Sequence, residues 1–291
     1  KKLKIIFDKV NRAIDADTIR HIFTFDSISK YIEPKSICII GDGLAGLTSA
    51  IAINSLQNVE VHLISRKVTK NIDKRTTAIS ESNFRFLKEN ISNLDSKLFW
   101  SSNKINLFYE TNEEKINFLN FNETNNNLMY VFENNKFKKN LLKEINQKKI
   151  KIIYKNIKDL KISKNYDLII LCLGRSSPIY KEITNNREIH KDYKETAITG
   201  YIKHKIKNIK VSQFFLKEGP LAILPFSKNY FSFVWSINKD FHRVNKKNIN
   251  HLIKNKLKDL LKVKQNLKIT NVQSYPIKMS LKRKYHEQNI L

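Results

Sequence analysis

Three features of the sequence predict an α/β fold in which a parallel sheet with covering helices is interrupted by a second, mixed or antiparallel sheet. Ser36–Ile40 (SICII) is a short, wholly apolar run that opens directly into Gly41-Asp42-Gly43-Leu44-Ala45-Gly46. Tyr166–Leu173 (YDLIILCL) is a second such run, ending at Gly174. Runs of this kind suit strands buried on both faces, as in parallel sheets. From Lys194 the character changes: Thr196–Lys205, Val211–Leu216, Leu221–Pro225 and Tyr230–Ile237 read as short strands separated by turn residues, the pattern of an antiparallel sheet.

The elements follow in order. After the glycine run, Leu47–Leu56 (LTSAIAINSL) carries Ala and Leu at helical spacing, and Val59–Ile64 (VEVHLI) is a β-branched strand, completing a βαβ unit. Asn83–Asn90 reads as a helix with Phe84 and Leu87 on one stripe. Ile105–Phe121 alternates apolar and polar residues around Thr111–Glu114 and reads as a hairpin, and the Asn-rich 122–127 as a loop. Phe132–Ile145 is expected to be a helix, Lys151–Tyr154 a strand, and Asn248–Leu261 an amphipathic basic helix. Residues 1–35 fit a helix or a strand and have no assigned role. They lack signal-peptide order, because Asp8, Asp15, Asp17 and Asp26 break every apolar cluster. No internal repeat is present.

Composition excludes several classes. With 41% hydrophobic and 28% charged residues the chain is neither disordered nor fibrous. No apolar run approaches the roughly 20 residues of a membrane-spanning helix. Cys38 and Cys172 stand alone in apolar runs, against a disulfide framework or a cysteine-rich zinc site and in favour of a reducing compartment. The seven histidines form no metal-ligand spacing. Lys plus Arg is 54 against 27 for Asp plus Glu, a net +27. Only nine of the cations are Arg, and Lys, Asn and Ile abound throughout, as a biased genome drifting toward surface lysine would give. Lys239–Lys284 is the concentrated exception, with fourteen cations against Asp240 and Asp259. It is expected to meet an anionic membrane rather than nucleic acid, because its cations are mostly Lys without interleaved aromatics.

The glycine run carries the chemistry. Gly-x-Gly-x-x-Gly between a buried strand and a helix, with a second strand about 20 residues on, is the context of a Rossmann-like dinucleotide site. Gly41 permits the tight turn, Gly43 lets the backbone approach a pyrophosphate, and Gly46 lets helix and strand pack closely. The N–H groups of Leu44 and Ala45 at the helix start then face the phosphates. The usual acidic residue at the end of the second strand is replaced by Ser65, followed by Arg66 and Lys67, while Glu60 lies at the wrong end. Such a set suits a 2′-phosphate, so NADP competes with FAD at this loop. The alternative is a single Ser65 hydrogen bond to a ribose beside two solvated cations.

The remaining segments break the tie. Asp73–Ser80 (DKRTTAIS), Tyr130–Asn134 (YVFEN), Gly219–Pro225 (GPLAILP), Phe233–Ser236 (FVWS) and Tyr275–Ile277 (YPI) together resemble the ubiquinone-biosynthesis flavin hydroxylases, class A aromatic monooxygenases related to p-hydroxybenzoate hydroxylase. The resemblance runs over about residues 36–291 in consistent order. It implies FAD as cofactor, NAD(P)H and O2 as co-substrates, and hydroxylation of a polyprenylated phenol. The cofactor carries the hard chemistry, so the protein orients the ring and excludes water, and no catalytic side chain is expected. On the resemblance, Arg75 contacts the flavin cofactor or else faces solvent, and Asn134 faces the ribityl chain or nucleotide or else merely starts a helix. Leu224, Pro225, Phe226 and Trp235 line the aromatic pocket or else fill the sheet core.

Two departures accompany it. The second fingerprint of the class, Asp-Gly with a downstream Ser and Arg, reads here as Leu173-Gly174-Arg175 with Ser177 and Tyr180, so Gly174 and Ser177 are kept, Asp and Arg are lost, and Arg175 is the candidate replacement for the positive charge. The Gly-Asp motif that closes over the flavin in relatives is expected just beyond Leu291, and the sequence opens on Lys1 without Met, so the chain reads as a fragment or a remnant. The expected organisation is an N-terminal segment (1–35), two parts of the FAD-binding domain (36–104 and 128–180), a substrate-domain hairpin (105–127), and a substrate-binding sheet with its basic helix (181–291). The expected location is cytoplasmic and peripheral on the inner membrane face, in association with other enzymes of ubiquinone synthesis.

Overall fold

A computed structural model describes residues 35–56, 58–66, 73–112, 114–157, 165–174, 177, 179, 188–282 and 288–291. The N-terminal segment up to residue 34, Lys67, Arg175 and Tyr180 lie outside the described residues. In chain order the elements are β1 (Ser36–Ile40), α1 (Leu44–Asn54), β2 (Glu60–Ser65), β3 (Thr76–Ser80), α2 (Glu81–Asn90), β4 (Trp100–Ser102), β5 (Lys104–Glu110), β6 (Lys115–Asn122), β7 (Met129–Glu133), α3 (Asn134–Gln147), β8 (Lys151–Tyr154), β9 (Leu168–Leu171), β10 (Glu188–Lys203), β11 (Val211–Leu216), β12 (Gly219–Ser227), β13 (Tyr230–Asn238), α4 (Lys239–Asn245), α5 (Ile249–Leu261) and β14 (Lys268–Lys282).

The two apolar runs of the sequence meet side by side. β1 pairs in parallel with β2 on one edge and β9 on the other, and β8 completes a four-stranded parallel sheet in the order β8-β2-β1-β9. Ile37, Ile39 and Leu63 pack toward α1 and α3, through Leu47, Ile51, Leu141 and Ile145. Cys38, Ile40, Ile64 and Ile169 form the core of the opposite face, so β1 is buried on both sides, which is why its sequence does not alternate. Burial pushes the Cys38 thiol up to about 12, leaving it a small apolar filler. Asp167, just before β9, accepts hydrogen bonds from the Lys35 and Ser36 backbone N–H groups and the Ser36 hydroxyl, tying the starts of β1 and β9.

The second sheet has seven strands in the order β14-β10-β13-β12-β11-β5-β6. All neighbours are antiparallel except β5 and β11, which run parallel with Tyr109 opposite Phe215. The hairpin β5–β6 therefore belongs to the same sheet as strands that come a hundred positions later. One face buries Trp235, Phe231, Phe233 and Ile237 under Ile253 and Leu257 of α5. Ion pairs stitch that helix down: Lys256 reaches Glu218 at 2.8 Å and Glu110 at 3.7 Å, and Lys115 pairs with Asp259. Part of the basic stretch is thus committed to the fold.

A third sheet, β3-β7-β4, is antiparallel and lies between the other two, with β12 crossing over β7 and β4. Here the sequence reading needs correction. Phe132 and Glu133, expected to open a helix, are strand, because they pair with Thr77 and Thr76, and α3 begins only at Asn134. β10 is longer than the Thr196–Lys205 strand expected, since it pairs along almost its whole length with β14, a strand the sequence did not announce.

Candidate functional site

The glycine run forms the turn from β1 into α1, held by Gly41 N–H to Ile64 O (2.9 Å) and Cys172 N–H to Ile40 O (2.8 Å). Gly41 sits at φ +123°, and a Cβ there would lie 2.3 Å from the Cys172 carbonyl oxygen. A Cβ on Gly46 would meet the Gly41 carbonyl oxygen at 1.9 Å. These two glycines are required for the chain to close on itself. Gly43 differs, because a Cβ there would meet nothing within 4 Å. Its methyl would project into open space, where a ligand's backbone contact would otherwise be made. No side chain caps the first N–H groups of α1 and its first turn holds no acidic residue; the nearest carboxylate is Asp42, just before the N-cap.

That space is a cleft of about 600 Å³ bounded by Gly41, Asp42 and Gly43, the end of β2 at Ser65 and Arg66, Lys138 and Leu142 of α3, Lys155 after β8, and Gly174 and Ser177 after β9. Three cations and one carboxylate line it. A Cβ on Gly174 would likewise meet nothing within 4 Å. The Ser177 hydroxyl is buried without a hydrogen-bond partner among the described residues. Burial pushes the Cys172 thiol up to about 11, so that side chain stays uncharged beside the loop. A cradle of free amides, an orphaned hydroxyl and surplus positive charge fit the adenosine diphosphate half of a dinucleotide. One expectation changes in detail: the Ser65 hydroxyl is buried and donates to the Arg66 carbonyl oxygen at 3.0 Å, so it is turned back on its own chain.

Arg75 and Asn134 are brought together in a second cluster, at the join between the β3–β7 sheet and the seven-stranded sheet. Both bind Asp73. Arg75 donates from Nε at 2.8 Å and from a terminal nitrogen at 2.7 Å, and the Asn134 amide donates at 3.0 Å. Asn134 in turn accepts from the Thr77 hydroxyl at 2.6 Å, and its own N–H donates to the Arg75 carbonyl at 3.0 Å. Burial alone would raise the Asp73 carboxyl, but the hydrogen bonds from Arg75 and Asn134 and the Arg75 charge bring it down to about 2. The guanidinium lies 5.6 Å from the Tyr275 ring centre. Thr76 meets Ser232 of β13, hydroxyl to hydroxyl, at 2.5 Å. Asn134 is buried, so it is more than an exposed helix start, and Arg75 is half-exposed and paired with Asp73 rather than free in solvent.

No protein-family model matches the chain, and no curated protein does. Solved structures do. CmlS, a flavin-dependent halogenase, superposes with a TM-score of 0.69 at 13% identity over 89% of this chain and 52% of that one. PqsL, a probable FAD-dependent monooxygenase from Pseudomonas aeruginosa, gives 0.68 at 10% identity over 88% and 76%. The p-nitrophenol 4-monooxygenase PnpA from Pseudomonas putida gives 0.65 at 11% identity over 88% and 71%. The chain has the fold of the FAD-dependent monooxygenases and halogenases. It spans about half the length of the CmlS chain.

Within this flavoprotein fold, the four residues expected to line a pocket part company. Side chains alternate along a strand, and the register puts Pro225 opposite Phe231 and Leu221 opposite Trp235. Trp235 is fully buried on the α5 side, its indole N–H donating to the Gly219 carbonyl at 3.2 Å, and Pro225 shares that face. Of the two readings the sequence left open, pocket wall or sheet core, the structure places both in the core. Leu224 lies opposite Ser232, on the face turned to Thr76, and Phe226 joins Tyr201 there with ring centres 4.9 Å apart. Burial, with the nearby Glu133 and Asp73 charges, pushes the Tyr201 phenol well above its ordinary value, so it remains a neutral hydroxyl. Sequence reasoning missed Asp73, Tyr201, Lys138 and Lys155. Only the first carried a usable signal, a carboxylate two positions before an arginine in a segment already singled out.

Proposed function

We propose that this chain is the cofactor-binding and ring-holding part of an FAD-dependent monooxygenase. On this reading it hydroxylates a polyprenylated phenol of ubiquinone biosynthesis with O2 and NAD(P)H as co-substrates. The observation that carries the reading is the cleft at the β1–α1 crossover, where a Cβ on Gly43 or Gly174 would meet nothing within 4 Å and which Arg66, Lys138 and Lys155 line. When bound there, the flavin supplies the redox and oxygen chemistry. The chain's own residues do the rest. The α1 N–H groups and cations hold the diphosphate, the Arg75–Asp73–Asn134 cluster fixes the join between the sheets, and Leu224, Phe226 and Tyr201 present an apolar, aromatic wall that excludes water from a ring lying against it. The choice of a polyprenylated phenol is supported by the strings DKRTTAIS and GPLAILPFSKNYFSFVWS. The lysines of Lys239–Lys284 not spent on ion pairs would face the anionic bilayer in which such a substrate dissolves.

Among the described residues no helix is long and apolar enough to cross a membrane, which is consistent with contact from one side. The test is FAD titration of the purified chain, followed by NADPH oxidation and O2 uptake with a polyprenylphenol in anionic or neutral vesicles at low and high salt. Saturable FAD binding and a product heavier by one oxygen are expected, with turnover greatest on anionic vesicles at low salt. NADPH oxidation without an oxygenated product would instead make the chain a reductase, and failure to bind FAD would make it a binding module. Because CmlS is a halogenase, a parallel assay with bromide distinguishes halogenation by the mass of the product.

A further inference from the structure

The residue between the first two glycines is a carboxylate. Asp42 stands where the backbone must lie against a diphosphate, and like charges there oppose binding. Its partner comes from another element: Lys138, on the first turns of α3, places Nζ 2.9 Å from Asp42 Oδ2 across the cleft. Both side chains are partly exposed, at 33% for Lys138 and 41% for Asp42, so the pair can separate without leaving a buried charge behind. Leu142, one helical turn after Lys138, lines the same cleft and keeps this face of α3 against it. The other lining cations, Arg66 and Lys155, follow the ends of β2 and β8, toward the ribose end of such a site. Lys138 is therefore the cation at the diphosphate end.

Resting on the dinucleotide reading above, we infer that Lys138 is a phosphate-binding residue held in place by Asp42, and that an incoming diphosphate takes over the ammonium from the carboxylate. Asp42 positions the lysine in the free chain and opposes the ligand once bound, so the pair tunes how tightly a dinucleotide is held. The exchange involves no bond chemistry, only a change of partner for one ammonium group.

The experiment is calorimetric titration of the whole chain with ADP and, separately, adenosine, for the wild type, Lys138→Gln, Lys138→Arg and Asp42→Asn, with a circular dichroism spectrum of each. Lys138→Gln is expected to weaken ADP by about tenfold, the worth of one charge-assisted hydrogen bond, and to leave adenosine unchanged. Lys138→Arg restores ADP binding, and Asp42→Asn tightens it. Raising the salt should weaken ADP binding to the wild type more than to Lys138→Gln. If Lys138→Gln binds ADP as the wild type does, or weakens adenosine equally, or if Asp42→Asn fails to tighten ADP, the inference is overturned while the dinucleotide site stands. A wild type that binds neither ADP nor FAD overturns the underlying reading instead.

Discussion

The glycine cleft and the Asp73 cluster are both polar sites at the ends of strands, yet they are built by opposite means. In the cleft the distinguishing feature is what is missing: side chains at Gly43 and Gly174, a side-chain cap on α1 and, among the described residues, a partner for the Ser177 hydroxyl. In the cluster every polar group is engaged, with Asp73 taking hydrogen bonds from Arg75 and Asn134, and Asn134 from Thr77. An unsatisfied buried group is costly unless a ligand completes it, whereas a satisfied network rigidifies what it joins. The first arrangement leaves groups that a ligand could complete, and the second fixes two sheets to each other.

That contrast breaks most violently at Gly46. Gly46→Ala forces a methyl to within 1.9 Å of a backbone oxygen and should cost about 3 kcal/mol or more in urea denaturation, because backbone rather than a flexible side chain must move. A near-neutral result would mean the turn is far looser than described. Asp73→Asn should cost about 1 kcal/mol at neutral pH, since the ion pair is partly solvent-screened. The sign with pH follows from the depressed carboxyl. The wild type's advantage is full above the ordinary value of 3.8 and is lost as pH falls toward about 2, so the gap between the two urea midpoints should narrow over that window. A gap that stays constant through it would show that the carboxylate charge contributes nothing. The smallest effect on stability belongs to Gly43→Ala, about 0.5–1 kcal/mol, because the added methyl meets nothing within 4 Å and only the poorer N-cap preference of Ala is lost. The same methyl should weaken ADP binding measured by titration, and unchanged binding would remove Gly43 from the ligand's path.

The cleft was legible in the sequence because its demands are local. A tight turn, a close approach and a helix start each require glycine at a fixed spacing, and the apolar run before them announces a buried strand. The cluster was only half legible. Arg75 and Asn134 stood out one at a time, but their common partner Asp73 and their closeness depend on β3 pairing with β7 across more than fifty residues. Helix-face arithmetic could place Lys138 beside Leu142 but not opposite Asp42, since nothing local says which loop α3 will face. The fate of Trp235 and Leu224 was in reach: GPLAILPFSKNYFSFVWS alternates, and period two alone assigns them to opposite faces once β12 and β13 pair.

The parallel pairing of β5 with β11 has a consequence during synthesis. The hairpin β5–β6, with exposed Phe118 and Phe121, leaves the ribosome long before β11 exists to cover its open edge. Until then it offers the bare β5 edge to other chains, beside aromatic side chains that stay exposed even in the finished sheet, the kind of intermediate that chaperones shelter and that aggregates in their absence.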